Sequence, residues 1–163
     1  MAAPEDETRA IKQQVIDLYD RAAATYDHVG PRFFTHFGQR LVDLTHVSPG
    51  MDVLDVATGR GAILFAAAET IGSGTVTGFD LSRKMVKHTA VEIRDRGLQN
   101  AHIAQMDAER LGFPDASFDR VLVGSALFFF PNLHHTLSEF YRVLAPGGQF
   151  GATIWGRFDE RWN

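Results

Sequence analysis

Residues 53–65 read VLDVATGRGAILF, a short apolar run followed by a loop with two glycines and then a second apolar run. The first run has the length and the β-branched residues of a buried strand, and the second is typical of a buried helix. Glycines at such a turn let backbone N–H groups and the helix N-terminus approach a ligand closely. The stretch therefore predicts a strand–loop–helix unit whose loop faces a ligand.

Short apolar runs continue to alternate with amphipathic stretches after this unit. Their pattern predicts strands over 53–57, 75–80, 101–106, 119–124 and 149–155, and helices over 62–71, 82–96 and 134–143. Strands separated by helices imply right-handed crossovers and a mostly parallel sheet. The fold class that we expect is therefore α/β.

The first 50 residues have a different pattern. Apolar residues recur at helical spacing over 9–22 and over 33–47, and Gly or Pro interrupts the chain near 30 and near 49. We expect a disordered acidic tail over 1–8, a helical cap over 9–50 and the α/β domain over 51–163.

Composition excludes several classes of protein. The chain has 163 residues, a length that suits one self-supporting domain, and its net charge of −4 gives no basic surface for nucleic acid. It has no cysteine, which excludes a disulfide framework, a thiolate zinc site and a thiol nucleophile. It has neither an apolar run long enough to span a membrane nor a signal-peptide pattern. We expect a cytoplasmic protein with no nucleic-acid partner and no membrane span.

A carboxylate at the end of the predicted second strand narrows the choice of ligand. Asp80 follows Gly61 by 19 residues, where a carboxylate can accept hydrogen bonds from ribose hydroxyls, although it could instead cap the next helix. A dinucleotide site needs a third glycine that residues 59–64 lack, and Asp55 would repel a pyrophosphate but suit an amino group. A nucleoside that carries an amino acid is therefore favoured, and a nicotinamide-dependent oxidoreductase is the alternative.

Four stretches resemble, in order, the motifs of class I S-adenosylmethionine-dependent methyltransferases: DVATGRG (55–61), GFDLS (78–82), MDAERLGFPDASFDRV (106–121) and EFYRVLAPGGQF (139–150). The small-molecule enzymes of ubiquinone and menaquinone biosynthesis are the most similar group. The resemblance covers roughly residues 19–155 and implies a Rossmann-like, doubly wound parallel sheet of strand order 3-2-1-4-5. It also implies methyl transfer from S-adenosylmethionine to a small, partly apolar molecule.

The resemblance assigns twelve residues to the cofactor. They are Asp55, Ala57, Gly59 and Gly61 around the methionine part; Asp80 on the ribose hydroxyls; Leu81 and Met85 against the adenine; Asp107 on the adenine amino group with Ala108 beside it; Ser125 near the amino acid or the methyl group; and Tyr19 and Tyr26 closing over the cofactor. The family more often has glycine in place of Ala57. From the residues alone, Asp107 could be a turn residue, Ser125 a packing residue and Tyr19 part of the core.

Catalytic groups are harder to identify. His28 and His36 flank the segment that would cover the site and are candidate bases, although both could be ordinary surface histidines. No residue pattern predicts a metal site.

Residues 128–130 are three phenylalanines, which form either a core plug or one wall of an apolar substrate pocket. The Asn/Asp-Pro-Pro-aromatic motif of methyltransferases that act on nucleic-acid amino groups is missing at residues 125–128.

The length of the chain raises a further expectation. The family fold has a sixth and a seventh strand after the fifth, whereas this chain ends eight residues after Trp155. The last two strands are then absent, and the fifth strand exposes a hydrogen-bonding edge. We expect either a truncated or partner-dependent cofactor-binding domain without independent activity, or a homodimer that forms through that edge.

Overall fold

The computed structural model describes residues 5–27 and 32–156. Its helices are α1 (Glu5–Ala22), α2 (Phe33–Leu44), α3 (Ala62–Ile71), α4 (Arg83–Asp95) and α5 (Leu133–Val143), with a 3₁₀ turn at Leu127–Phe129. Its strands are β1 (Asp52–Val56), β2 (Thr75–Asp80), β3 (Ala101–Gln105), β4 (Phe118–Gly124) and β5 (Leu144–Thr153). No helix in these two ranges is long and apolar enough to cross a membrane.

The five strands form one parallel sheet with the order β3-β2-β1-β4-β5, which confirms the expected fold. In β1, Val53 packs into the apolar cluster on one face and Leu54 into the cluster on the other. Successive side chains of a strand point to opposite faces, so an uninterrupted apolar strand has to be covered on both sides. Because all the strands are parallel, their carboxyl ends meet along one edge of the sheet.

The two apolar clusters divide the helices between the faces of the sheet. Residues of α2 and α3 pack on one face, in a cluster that includes Leu41, Val42, Ile63, Leu64, Ala67 and Ile71. Residues of α5 pack on the other face, where Phe140 and Val143 contact the cluster that holds Phe79, Val121 and Val123. The sheet is therefore the middle layer of three.

Two ends differ from the sequence prediction by four residues or more. Helix α1 begins at Glu5 rather than at residue 9, because Glu5, Asp6 and Glu7 form an acidic first turn that favours a helix N-terminus. Residues 5–8 thus belong to the helix, and residues 1–4 of the predicted tail lie outside the described residues. Strand β5 begins at Leu144 rather than at residue 149.

The early start of β5 comes from a bulge. Phe118 pairs with Leu144 and Arg120 with Gln149, so β5 fits three more residues than β4 into the same interval. Gly147, with φ of 81°, lies within that interval. Residues 146–148, Pro-Gly-Gly, precede the predicted strand over 149–155 but lie within β5 in the structure.

Candidate functional site

A cavity of about 260 Å³ lies at the carboxyl edge of the sheet. The loop after β1, the ends of β2 and β4, and the turn after β3 all contribute to its wall, and α1 and α2 cover it. Parallel α/β sheets bind ligands at this edge. Ten of the residues that the resemblance assigns to the cofactor line the cavity: Tyr19, Tyr26, Asp55, Ala57, Gly59, Asp80, Leu81, Asp107, Ala108 and Ser125.

The loop after β1 turns sharply by means of left-handed residues. Ala57 has φ of 52° and Gly61, the N-cap of α3, has φ of 82°. An alanine in this region costs roughly 1–2 kcal/mol relative to the right-handed one, whereas a glycine adopts it freely. The carbonyl of Phe79 in β2 accepts a hydrogen bond from the Thr58 N–H at 2.9 Å and fixes the loop to the sheet.

Asp55 is buried beneath this loop. Its Oδ2 accepts hydrogen bonds from the Leu64 N–H at 2.9 Å and from the Thr58 hydroxyl. Its Oδ1 is buried and has no hydrogen-bond partner within the described part of the chain. Burial raises the pKa of Asp55 to about 7, although the bonds from Thr58 and Leu64 oppose the shift. The carboxyl group is thus suited to a cationic partner, which residues 5–27 and 32–156 do not provide.

Asp80 joins the end of β2 to the glycine loop. Its Oδ2 accepts from the Gly59 N–H at 2.9 Å and its Oδ1 from the Ser82 N–H at 2.8 Å. The hydroxyl of Ser82 accepts from the Met85 N–H, so Ser82 rather than Asp80 caps α4. Burial raises the pKa of Asp80, and the nearby charge of Asp20 acts in the same direction. A carboxylate offers about four acceptor positions, so Asp80 can still accept from a ligand hydroxyl.

Asp107 has a partner that the sequence analysis did not identify. Lys12 of α1 places its Nζ 2.7 Å from Asp107 Oδ2 and 2.6 Å from Glu109 Oε2. Burial lowers the pKa of Lys12, but its hydrogen bonds and charge interactions with the two carboxylates raise the value overall. The two carboxylates follow Lys12 by 95 and 97 residues. Helical periodicity relates only residues that are close in the sequence, so it could not predict these pairs.

Three further hydrogen bonds hold α1 and the residue that follows it against the same edge. Asp20 accepts hydrogen bonds from the Ser82 hydroxyl and from the Lys84 N–H. Arg60, which lies between the loop glycines, donates from Nη1 to the carbonyl of Ala23 at 2.7 Å. Together with the Lys12 pairs, these contacts join α1 to residues within or next to the predicted cofactor motifs.

Aromatic rings cover the glycine loop. Tyr26 contacts Tyr19 edge-on at 5.7 Å between centroids and stacks on Phe34 at 5.2 Å, and Tyr19 contacts Phe129 edge-on at 5.4 Å. The Tyr26 ring lies 3.8 Å from the place that a Cβ would take on Gly59. Burial raises the pKa of both tyrosines, which keeps them neutral. Tyr19, expected either in the core or over the cofactor, lines the cavity.

Several predicted residues lie elsewhere. Met85 is fully buried in the first turn of α4 and does not line the cavity where we expected an adenine contact. Gly61 does not line it either and is the N-cap of α3. His36 is exposed on α2 and is absent from the cavity wall, and His28 lies outside the described residues.

The phenylalanine triplet is divided between the cavity and solvent. Phe129 and Phe130 line the cavity, whereas Phe128 is 56% exposed. Two of the three rings therefore contribute to an apolar wall. Across residues 5–27 and 32–156, no group of three or more His, Asp or Glu side chains could hold a metal ion.

A family model described as a methyltransferase domain matches residues 53–148. Aklanonic acid methyltransferase DauC of Streptomyces sp. (strain C5) is 41% identical over 143 residues, which cover 87% of this chain and 65% of DauC. Demethylmenaquinone methyltransferase of Listeria welshimeri is 33% identical over 147 residues, which cover 87% of this chain and 62% of that protein. The chain thus spans slightly less than two thirds of the length of these relatives.

A solved structure shares the fold. The crystal structure of a SAM-dependent methyltransferase from Aquifex aeolicus matches with a TM-score of 0.78 and 21% sequence identity. The match covers 86% of this chain and 75% of that one. A likeness at this level of identity concerns the arrangement of the strands and helices.

Proposed function

The chain belongs to the S-adenosylmethionine-dependent methyltransferase family, and from that premise we propose that it transfers a methyl group from S-adenosylmethionine to a small, partly apolar molecule. One observation carries the proposal: Asp55, Asp80 and Asp107 all line the cavity at the carboxyl edge. Three carboxylates along one edge suit the ligand's donors, which are an ammonium group, two ribose hydroxyls and an adenine amine.

The electrostatics of Asp55 and Asp80 support this assignment. The unpartnered Oδ1 of Asp55 would receive the ammonium group, which favours the ionised carboxylate and reverses the cost of its burial. Asp80 would receive the ribose hydroxyls on its remaining lone pairs, while the Gly59 and Ser82 N–H groups hold it in place.

Asp107 can receive the adenine amine without losing Lys12. A carboxylate offers about four acceptor positions. Within the described part of the chain, Asp107 uses two of them, for the ammonium group of Lys12 and for the Glu109 N–H at 3.0 Å. We infer that Lys12 holds the Asp107 carboxylate in place while the adenine binds beside it.

Positioning and exclusion of water account for the catalysis that the described residues can supply. When bound, S-adenosylmethionine supplies a methyl group on a positively charged sulfur that is already activated for in-line displacement. Tyr19 and Tyr26 cover the glycine loop and exclude water from it, and the surrounding cavity orients the acceptor. His36 is exposed outside this cavity and receives no role, and a base at His28 stays a prediction.

An apolar wall supports a small, partly apolar acceptor. Phe34, Phe129 and Phe130 line the cavity together with polar groups at the end of β4. The relatives named aklanonic acid methyltransferase and demethylmenaquinone methyltransferase act, by their names, on small molecules. We infer an acceptor of similar size for this chain.

Calorimetric titration with S-adenosylhomocysteine and with NADH tests the proposal. Wild-type protein should bind the first and not the second, and Asp80→Asn should weaken S-adenosylhomocysteine binding about 100-fold, because it removes the charge of the acceptor and replaces one of its two oxygens by a donor. Asp52→Asn, at the opposite edge of the same sheet, is the matched control and should keep wild-type affinity. NADH binding, or unchanged affinity in a folded Asp80→Asn variant, would overturn the assignment.

Catalysis by this chain alone is a separate measurement. In a screen of methyl acceptors, the wild-type protein should release S-adenosylhomocysteine only when a suitable acceptor is present. Binding of the cofactor without turnover for any acceptor would favour the partner-dependent alternative. The predicted homodimer through the outer edge of β5 stays a prediction, which light scattering over a range of concentrations tests.

A further inference from the structure

Two hydroxyls meet at the carboxyl ends of β4 and β5. Ser125 follows β4 and Thr153 ends β5, and their side-chain oxygens lie 3.2 Å apart. The Ser125 N–H donates to both the carbonyl oxygen and the Oγ1 of Thr153, at 3.0 and 3.1 Å. Both residues line the cavity.

The backbone of Ser125 is held in an unfavourable conformation. Its φ of 52° lies in the left-handed region, which serine rarely adopts. Residues held in this way concentrate at ligand sites, where the surrounding structure enforces the strain. Here the two hydrogen bonds from the Ser125 N–H to Thr153 enforce it.

The pair retains hydrogen-bonding capacity for a ligand. Two hydroxyls carry two protons, and the bond between them uses one. Within residues 5–27 and 32–156, neither hydroxyl has a further hydrogen-bond partner besides the Ser125 N–H. The pair can therefore donate one hydrogen bond and accept others.

The pair lies on the opposite half of the sheet from the carboxylates assigned to the nucleoside. Strand β1 separates β4 from β2, which ends at Asp80, so the strand order places Ser125 two strands and Thr153 three strands from Asp80. At about 4.8 Å per strand, these separations are about 10 Å and about 14 Å. The hydroxyl pair thus lies away from the carboxylates assigned to the nucleoside, on the side where the resemblance places the methyl group, and the rings of Phe34 and Phe37 line the same cavity.

We propose that the Ser125–Thr153 hydroxyl pair binds an oxygen substituent of the methyl acceptor, and that the acceptor is a flat ring compound such as a phenol or a ring ketone. Hydroxyls that can both donate and accept suit either oxygen, and the aromatic wall suits a flat ring. A site built to pair an oxygen discriminates against the analogue that lacks it, because the hydroxyls would then stay unpaired. This proposal rests on the proposed function.

Ligand-observed NMR with naphthol and naphthalene, in protein saturated with S-adenosylhomocysteine, tests the pair. Wild-type protein should bind naphthol at least about fivefold more tightly than naphthalene, which is the worth of one neutral hydrogen bond. Thr153→Val should remove this preference by weakening naphthol binding alone. Thr153→Ser should restore the preference, because it returns the hydroxyl. Ser125→Ala should act like Thr153→Val.

Thr75→Val, at the opposite edge of the sheet, is the matched control and should keep the full preference. A wild-type protein without the preference, or a Thr153→Val variant that retains it, overturns the proposal. A Thr153→Val variant that loses affinity for both probes equally also overturns it, because the effect is then structural. Wild-type protein that fails to bind S-adenosylhomocysteine overturns the proposed function itself, whereas cofactor binding without ring selectivity overturns only this inference.

Discussion

Helices α1 and α3 both border the cavity, but different forces hold them in place. Seven of the ten residues of α3 are buried, with Leu64 and Ile71 completely inaccessible to solvent. None of the eighteen residues of α1 is buried, and Lys12 and Asp20 attach it by ion pairs and hydrogen bonds. Hydrophobic burial makes α3 part of the folding unit. Helix α1 covers the cavity through ion pairs and hydrogen bonds, so the stability of its attachment depends on the ionic strength.

Truncating a side chain in each helix tests this contrast most strongly. Leu64→Ala should lower the free energy of unfolding by about 2–5 kcal/mol, because it removes buried methyl groups and leaves a cavity. Val15→Ala in α1 should lower it by less than about 1 kcal/mol, because that side chain is only half-buried. Urea denaturation measures both. Equal losses would show that α1 belongs to the core.

The pH dependence of stability should come from the core rather than from the cover. The pKa of Asp55, raised by burial to about 7, means that the folded protein keeps a proton that the unfolded chain releases near pH 4. Stability from this group is full below about pH 4 and is lost as the pH rises through 7. We expect the free energy of unfolding to fall by about 1–3 kcal/mol between pH 5 and pH 8.

Asp55→Asn should flatten this pH dependence, whatever its effect on absolute stability. Asp95→Asn, which changes an exposed carboxylate at the end of α4, is the matched control and should keep the wild-type slope. Urea denaturation at several pH values measures the slopes. A wild-type slope in Asp55→Asn would show that another group is responsible.

Lys12→Met should detach α1 without unfolding the domain. The substitution leaves Asp107 and Glu109 without their cation, and we expect a loss of about 1–2 kcal/mol in the local stability of α1. Hydrogen exchange should therefore accelerate at amides of α1 and stay unchanged in α3. Lys87→Met, at an exposed lysine of α4, should leave both unchanged. Unchanged exchange in α1 of Lys12→Met would show that the apolar contacts of α1 suffice.

Salt should produce the smallest effect, again in α1 alone. Raising the ionic strength from about 0.05 M to about 0.5 M shortens the screening length to a few ångströms. The part-buried Lys12 pairs should then weaken by less than about 1 kcal/mol. Exchange at the amides of α1 should accelerate by less than about fivefold, and exchange in α3 should not change. Equal acceleration in both helices would contradict a separately attached cover.

The sequence alone predicts the central sheet well, because burial on both faces leaves apolar residues at successive positions of each inner strand. Val53, Leu54 and Val56 in β1 and residues 121–123 in β4 show this pattern. The predicted start of β5 was wrong, because a proline and two glycines at residues 146–148 usually end a strand or helix. In the structure, the bulge opposite Phe118 accommodates these three residues within β5. The local sequence indicates residues that favour a turn, but it does not show whether they end a strand or form a bulge within it.

The residues of the candidate site that belong to a sequence motif could be predicted. Those that reach the site only through folding, from distant parts of the chain, could not. Asp55 and Asp80 lie at strand ends next to the glycine loop, so their positions follow from the parallel topology. Lys12 and Thr153 come to the cavity only through tertiary packing, and neither stands in a recognisable local pattern. The core position of Met85 depends on how the first turn of α4 is rotated, which the spacing of residues leaves open.

The packing of Phe65 against Gly61 constrains how this loop can evolve. A Cβ on Gly61 would lie 2.6 Å from the Phe65 ring, and the Arg96 guanidinium lies 3.9 Å from the centre of that ring. A larger residue at position 61 would be strained by the φ of 82° and would also need a smaller residue at position 65, and that second change removes the surface on which Arg96 lies. The order of the mutations matters as much as their identity, so positions 61, 65 and 96 should change together, or not at all, among the descendants of this sequence.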